Sequence, residues 1–511
     1  MSGLKLFVLS GVVVVLLSAS LFFTGRDPTT LDTLHVLCAA NMRRPVEEAA
    51  AEYEREYGVT VELDFDGSGS LLGKLEAEAR SEKAEKRGDL YIAADESYVV
   101  EAREKGLIVE DIALARMRPV IAVARGNPRG VRGVESLLTS DVRVAICNPD
   151  QTAVGRVVRR VIENDGRWKR LTEHAAVTKP KVTDVANDIK LGTVDAGIVW
   201  DATVAMYPEL EAVRVPEFDA ATVGVSVAVT TIAQSPASAL RFARFLAARD
   251  RGLVRFRAHG FDVVEGDVWE KIPELVVWSG GVNRLAIEKT IVEFQVREGV
   301  VVSTTYGGCG ALTAQMQPLV GTDRFPDVYF ACDRSYMDNV ADWYVASQLV
   351  AETDIVIAVP RGNPRGCSGL ASLARSGLRL GIADAEKSAL GALTLRLLDS
   401  AGVRGAVQGN ITTTAGTADY LVNQITVSGG HSLDAVIVYR ANLANVLDRI
   451  TVIGIEHPAA KAEQPIATSV GSSQRHLARR FIDAILSKRS ADRFRAVGFR
   501  WRHEPEKRVA E

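Results

Sequence analysis

The feature that most constrains this chain is an internal repeat. In "DFDGSGSLLGKLE", Gly67, Ser68, Gly69 and Leu71 are followed 241 residues later by Gly308, Cys309, Gly310 and Leu312 of "TYGGCGALTAQMQ". At the same offset Leu34 meets Leu275, Tyr53 meets Phe294 and Gly58 meets Gly299, while Val46, Ala49 and Ala50 meet Ile287, Thr290 and Ile291. Those positions describe one apolar helical face and the glycine that ends it, present in both copies. With small gaps the match continues through "DLYIAADESY" and "DVYFACDRSY", two "RGNPRG" segments at 125–130 and 361–366, and "RFRAHGF" and "RFRAVGF". Segments matched in one order indicate tandem duplication. Each copy of roughly 235 residues is long enough to bury a core without staples.

Within each copy strands alternate with helices. The first reads as "TLHVLCAA", a helix over 43–57, "VTVELDF", the Gly/Ser loop, a helix over about 71–84 and "DLYIAA". After "RPVIAVARGNP" come "RVAICNP", a helix over 154–164, another near 185–191 and "AGIVW", then "VGVSVAVTT" and a helix over about 236–247. This is an α/β pattern with a mainly parallel sheet. Its order suits two α/β lobes per copy with the chain crossing between them twice, which puts a ligand in the cleft between lobes. The expected domains are 32–268 and 272–503, joined by a linker at Trp269 to Pro273 and followed by a charged tail over 504–511. Both "RGNPRG" segments read as turns near the crossovers.

Lys5 is followed by twenty uncharged residues, Leu6 to Gly25, and then by Arg26 and Asp27. As a helix this run would span about 30 Å, enough to cross a bilayer. Residues 1–30 are therefore expected to be a retained membrane anchor, with a signal peptide cleaved near "SAS" at 18–20 as the alternative; either places the remainder outside the cytoplasm. A net charge of −3 with 24% charged residues gives no basic surface for nucleic acid. The five cysteines, Cys38, Cys147, Cys309, Cys332 and Cys367, occupy no position shared by both copies. They are expected to be buried thiols packing as small apolar residues, with one bridge within a half as the alternative. No pair has the close spacing of a zinc site, and no metal or cofactor is expected.

The loop at 67–70 suits an anion, because glycines admit a close backbone approach and a following helix turns its free N–H groups and positive dipole end toward the loop. A plain connector between strand and helix is the alternative. A nucleotide phosphate loop is excluded, since "GSLLGK" is one residue short and Leu75 stands where Ser or Thr would bind magnesium.

Taken in order, "VLCAANMRRPVEEAAAEYEREYGVTVELDFDGSGSLLGKLE", "GDLYIAADESYVVEAREKGLI", "RGNP", "AICNPDQTAVGR" and "DAGIVWDA" resemble the periplasmic molybdate-binding proteins of ABC transporters. The resemblance covers nearly all of 33–262 and, more weakly, 274–500. It implies the type II periplasmic-binding-protein fold, a two-lobed clamp that closes on a tetrahedral oxyanion, in tandem duplicate. It also implies a membrane permease as partner.

Carried over residue by residue, the resemblance implies a first ligand loop at Ala39, Ala40 and Asn41, where the family's serine is replaced by an amide. It implies a second at Ser68 and Gly69, backbone donors at Val154 and at Val185 on helix starts, and Trp200 in place of the family's tyrosine. In the second copy Cys309 replaces the serine, Ala385 replaces Pro149, and Tyr439 occupies the tyrosine position. Each copy keeps a different part of the site, so two equivalent sites are not expected. Taken singly, Ser68 could cap its helix and Trp200 or Tyr439 could be packing aromatics.

Three functions compete. The first is an extracytoplasmic receptor that delivers a small oxyanion, molybdate or tungstate, to an ABC permease. The second is an anchored sensory or scaffold module of the same fold with a changed or lost ligand. The third is an enzyme using Cys38 or Cys309, which lacks a matched histidine, and no catalytic residue is expected.

Overall fold

The computed structural model describes residues 33–81, 88–427 and 432–504. The expected signal or anchor at 1–30 and the charged tail beyond Glu504 lie outside them. Of the described residues, those from 33 to 247 together with Arg251–Val264 form one compact unit, and Ala248–Asp250 with those from 265 to 504 form the second.

In the first unit, strands Thr33–Ala39, Thr60–Asp66 and Leu90–Ala93 pair in parallel, with Thr33–Ala39 in the centre. Val223–Thr230 then adds antiparallel to Leu90–Ala93, and Ile108–Met117 antiparallel to Val223–Thr230. The other lobe is built on Val144–Cys147, parallel to Val177–Lys179 and Ala196–Trp200, with Pro119–Ala124 antiparallel beside Ala196–Trp200. The sheets are therefore mixed, not mainly parallel. Parallel pairs come from strand–helix–strand passages, and antiparallel ones come from strands that carry the chain from lobe to lobe and back.

The repeat extends to the way elements stop. Helix Arg43–Tyr57 buries Val46, Ala49, Ala50 and Tyr53 and ends at Gly58, whose φ of 68° lets its N–H reach the Glu54 carbonyl. Arg284–Glu298 buries Ile287, Thr290, Ile291 and Phe294 and ends at Gly299 with φ 65°. Both "RGNPRG" segments are turns in which Asn127 and Asn363 take positive φ, and each side chain holds the backbone of the residue four positions on.

One substitution separates the sheets of the two units. In the first, Pro119 has no N–H to donate, the ladder is interrupted after Met117, and the lobes carry separate sheets of six and five strands. In the second, the matched Ile355 donates to the Ala460 carbonyl at 2.9 Å. Strand Gln348–Pro360 consequently runs unbroken through both lobes, in one ten-stranded sheet.

Candidate ligand-binding clefts

Between the lobes of the first unit lies a cleft of about 250 Å³. Four chain segments begin helical turns at its walls. Ala40 and Asn41 open the 3-10 turn Ala40–Met42 that runs into Arg43–Tyr57, Ser68 opens Ser68–Arg80, Ala153 opens Ala153–Ile162 and Val182 opens Val182–Lys190. Each start presents N–H groups without an intrahelical partner. Trp200, buried at the end of its strand opposite Pro119, completes the wall.

Ser68 is 1% exposed, and its hydroxyl oxygen accepts the Ala94 N–H at 3.1 Å. Its own proton thus remains for donation into the cleft. The Tyr91 hydroxyl donates to the Ser68 carbonyl at 2.8 Å, which fixes the loop from behind. Asn41 is buried with its amide nitrogen 3.2 Å from the Met117 sulfur. Thr152 caps the third helix by accepting the Gly155 N–H at 3.1 Å, leaving the amides of Ala153 and Val154 at the cleft.

Two expected donors are placed elsewhere. The Gly69 N–H donates across the cleft to the Gln151 carbonyl at 3.0 Å, and Gly69 is not in the cleft wall. A Cβ on Gly67 would lie 2.2 Å from the Gln151 oxygen, and one on Gly69 2.3 Å from the Asp150 oxygen. These glycines let the two lobes meet backbone to backbone. Val185 lies a turn inside its helix, buried against Gly197, because the helix begins at Val182 and not near 185. Val182 occupies the wall in its place.

Sequence reasoning missed Lys181 and Asp66, which bring the formal charges to this cleft. The Lys181 amino group donates to the Phe65 carbonyl at 3.3 Å and lies 3.6 Å from the Asp66 carboxylate. Nothing periodic marks either residue. Thr152 was detectable as a Thr directly before a helical run. Further across the lobes, Arg156 donates to Glu101 at 3.0 Å and lies over the Tyr98 ring at 3.6 Å.

The second unit has a cleft of about 310 Å³ in the corresponding place, lined by Gly281, Gly308, Ser388, Leu390 and Tyr439 among others. Cys309 has no side-chain proton to donate there. It is bonded to Cys332, so the sulfur that matches the Ser68 hydroxyl carries no hydrogen. The expectation that all five cysteines are thiols is corrected for this pair. Cys38, Cys147 and Cys367 are buried and unbridged. Burial pushes the Cys38 thiol well above its ordinary range and the Cys147 thiol up to about 12, the opposite of an activated nucleophile. Among the described residues no group of three or more His, Cys, Asp or Glu could hold a metal ion, and no helix is long and apolar enough to cross a membrane.

The two copies are each matched in sequence by a known family. The family described as bacterial extracellular solute-binding protein matches residues 34–262 and, a second time, 275–500. The chain belongs to that family. It carries two solute-binding domains in tandem. A Haemophilus influenzae protein with a provisional binding-protein name is 26% identical over 166 residues, 32% of this chain and 65% of that protein's length. The Mycobacterium bovis molybdate-binding protein ModA is 25% identical over 216 residues, 42% of this chain and 78% of the relative. Among solved structures, the substrate-binding domain of a molybdenum ABC transporter assigned to Clostridium difficile is 21% identical. The match covers 46% of this chain and 99% of that one, with a TM-score of 0.35.

Proposed function

We propose that the first solute-binding domain captures a small tetrahedral oxyanion, molybdate or tungstate, outside the cytoplasm and delivers it to the permease of an ABC transporter. The observation that carries this reading is the convergence of the helix starts at Ala40, Ser68, Ala153 and Val182 on one cleft, with the Ser68 hydroxyl free to donate. N–H and O–H donors aimed at one point suit an anion, and Lys181 contributes a nearby positive charge. A dehydrated cleft strengthens each bond to an ionised acceptor, to about 1.5–3 kcal/mol apiece. The names of the mycobacterial relatives accord with molybdate. The seat of the ligand is Ala40, Asn41, Ser68, Val154 and Trp200, with Val182 replacing Val185.

Calorimetric titration of the protein with molybdate, tungstate, sulfate and phosphate tests this reading. Tight binding of one of them, weakened in Ser68→Ala, is expected. Absence of heat with all four would favour a sensory or scaffold module of the same fold, a reading to which the bridged Cys309 in the second copy lends support. The same proposal retains residues 1–30 as an outward-facing anchor. Carbonate-washed membranes are then expected to keep the protein, whereas recovery in a soluble extracytoplasmic fraction with a processed amino terminus would assign that segment to a signal peptide.

A further inference from the structure

The second cleft has polar chemistry that an oxyanion would satisfy only in part: it could accept from a hydroxyl there but has nothing to donate to an amide oxygen. Tyr439 ends strand Ala435–Tyr439 at the cleft, 3% exposed, and its hydroxyl has no hydrogen-bond partner. In the same wall, buried Oδ1 of Asn442 also has none, while Nδ2 of that side chain donates to the Asp419 carboxylate at 3.0 Å. A buried polar group left unpaired costs on the order of 1–3 kcal/mol. The two residues that carry these atoms line one cleft, which points to a ligand that pairs with both.

Charge separates the two clefts. Where the first has Lys181 and Asp66, the second has Thr417 and Gly307, and Asp419 stands where the first has Thr183. Arg43 and Arg284 occupy the same place in the two copies, and each is paired with its own helix through Glu47 and Glu288. The second cleft therefore has a carboxylate and no lysine or arginine in its wall. A dianion entering it would meet the Asp419 carboxylate with no lysine beside it and, at Cys309, a bridged sulfur in place of a hydroxyl donor. The helix starts at Ala389 and Ala418 are nonetheless kept, and they still favour a negative group on the ligand.

We propose that the second cleft binds a small zwitterion of the α-amino acid class. Its carboxylate accepts from the Tyr439 hydroxyl and from the amides at the starts of Ala389–Ser400 and Ala418–Thr426. Its ammonium donates to the Asp419 carboxylate and to Oδ1 of Asn442. Burial holds the Tyr439 phenol in its protonated, donating form. This assignment is independent of what the first cleft binds, since no residue is shared between the two walls.

The test is calorimetry on the purified full chain with the twenty protein amino acids, the matching 2-hydroxy acids and amines, and molybdate. One amino acid, or a related group of them, is expected to bind at one equivalent per chain. The hydroxy acid and the amine should bind at least about tenfold more weakly, each having lost one charge-assisted bond. Tyr439→Phe and Asp419→Asn should each weaken the amino acid at least about tenfold, and Ser68→Ala should leave it unchanged. Asp419 is exposed at the rim, so Asp419→Asn decides the matter if Tyr439→Phe lowers the melting temperature. The proposal is overturned if no amino acid binds more tightly than about 1 mM. It is equally overturned if amino acid binding survives both substitutions, or if Tyr439→Phe abolishes a second molybdate equivalent.

Discussion

Ala94 donates its N–H to the Ser68 hydroxyl at 3.1 Å, and at the same corner of the second copy Cys332 is bonded covalently to Cys309. Both residues of the pair differ between the copies. The Cys332 N–H still points at the Cys309 sulfur, 3.1 Å away, so the backbone geometry of the corner is the same in both. The first copy has a hydrogen bond that leaves the hydroxyl proton free, and the second a covalent link with no proton to donate.

Substituting Ser68 by Ala removes that donor and leaves the Ala94 amide unpaired. Oxyanion binding in the first domain should weaken by roughly tenfold to a hundredfold, with about 1–2 kcal/mol of stability lost. Titration and urea denaturation of the same variant measure the two effects separately.

Replacing Gly69 by Ala acts on closure. The added Cβ would lie 2.3 Å from a carbonyl oxygen of the opposite lobe, and backbone on both sides cannot give way as a flexible side chain would. Oxyanion affinity should fall by more than about tenfold, since the closed cleft supplies the dehydrated bonds. Melting temperature without ligand should change little, because the lobes can part, and small-angle scattering should show no compaction on adding ligand.

Reduction of the Cys309–Cys332 bridge, or the double substitution Cys309→Ser with Cys332→Ala, should cost about 3 kcal/mol for a loop of its length, 23 residues apart in sequence. The double variant rebuilds the Ser68 and Ala94 corner in the second copy. It is nevertheless expected to gain no oxyanion site, because Asp419 remains in the wall. Titration with molybdate should show the same stoichiometry before and after.

Acid should weaken both domains through one repeated pair. Hydrogen bonds from Arg143 hold the Asp195 carboxyl at about 2, below its ordinary 3.8. For Asp434 burial is the largest influence and pushes upward, yet hydrogen bonds from Arg379 still bring it to about 2. A carboxyl lowered by folding stabilises the protein above its unfolded value near 4, and that contribution disappears as pH falls toward 2. Melting temperature should drop over that window, and Asp195→Asn with Asp434→Asn should flatten the drop while lowering the melting temperature at neutral pH.

The duplication, the order of strands and helices, the apolar faces and the stops at Gly58 and Gly299 are all legible in the sequence, because period and punctuation are local properties of neighbouring residues. That Ser68, Ala40, Asn41, Val154 and Trp200 would line one interlobe cleft could be read for the same reason, guided by the resemblance. What only the tertiary structure decided is which atoms face one another across a cleft. Gly69 was expected to hold a ligand and instead joins the lobes, Val185 is a turn too deep, and Cys309 is paired with a residue 23 positions away. Lys181 and Asp419, which give the two clefts different charge, carry no sequence pattern at all. Such contacts depend on sheet order and on the packing of helix starts distant in the chain, and neither is encoded in any window of consecutive residues.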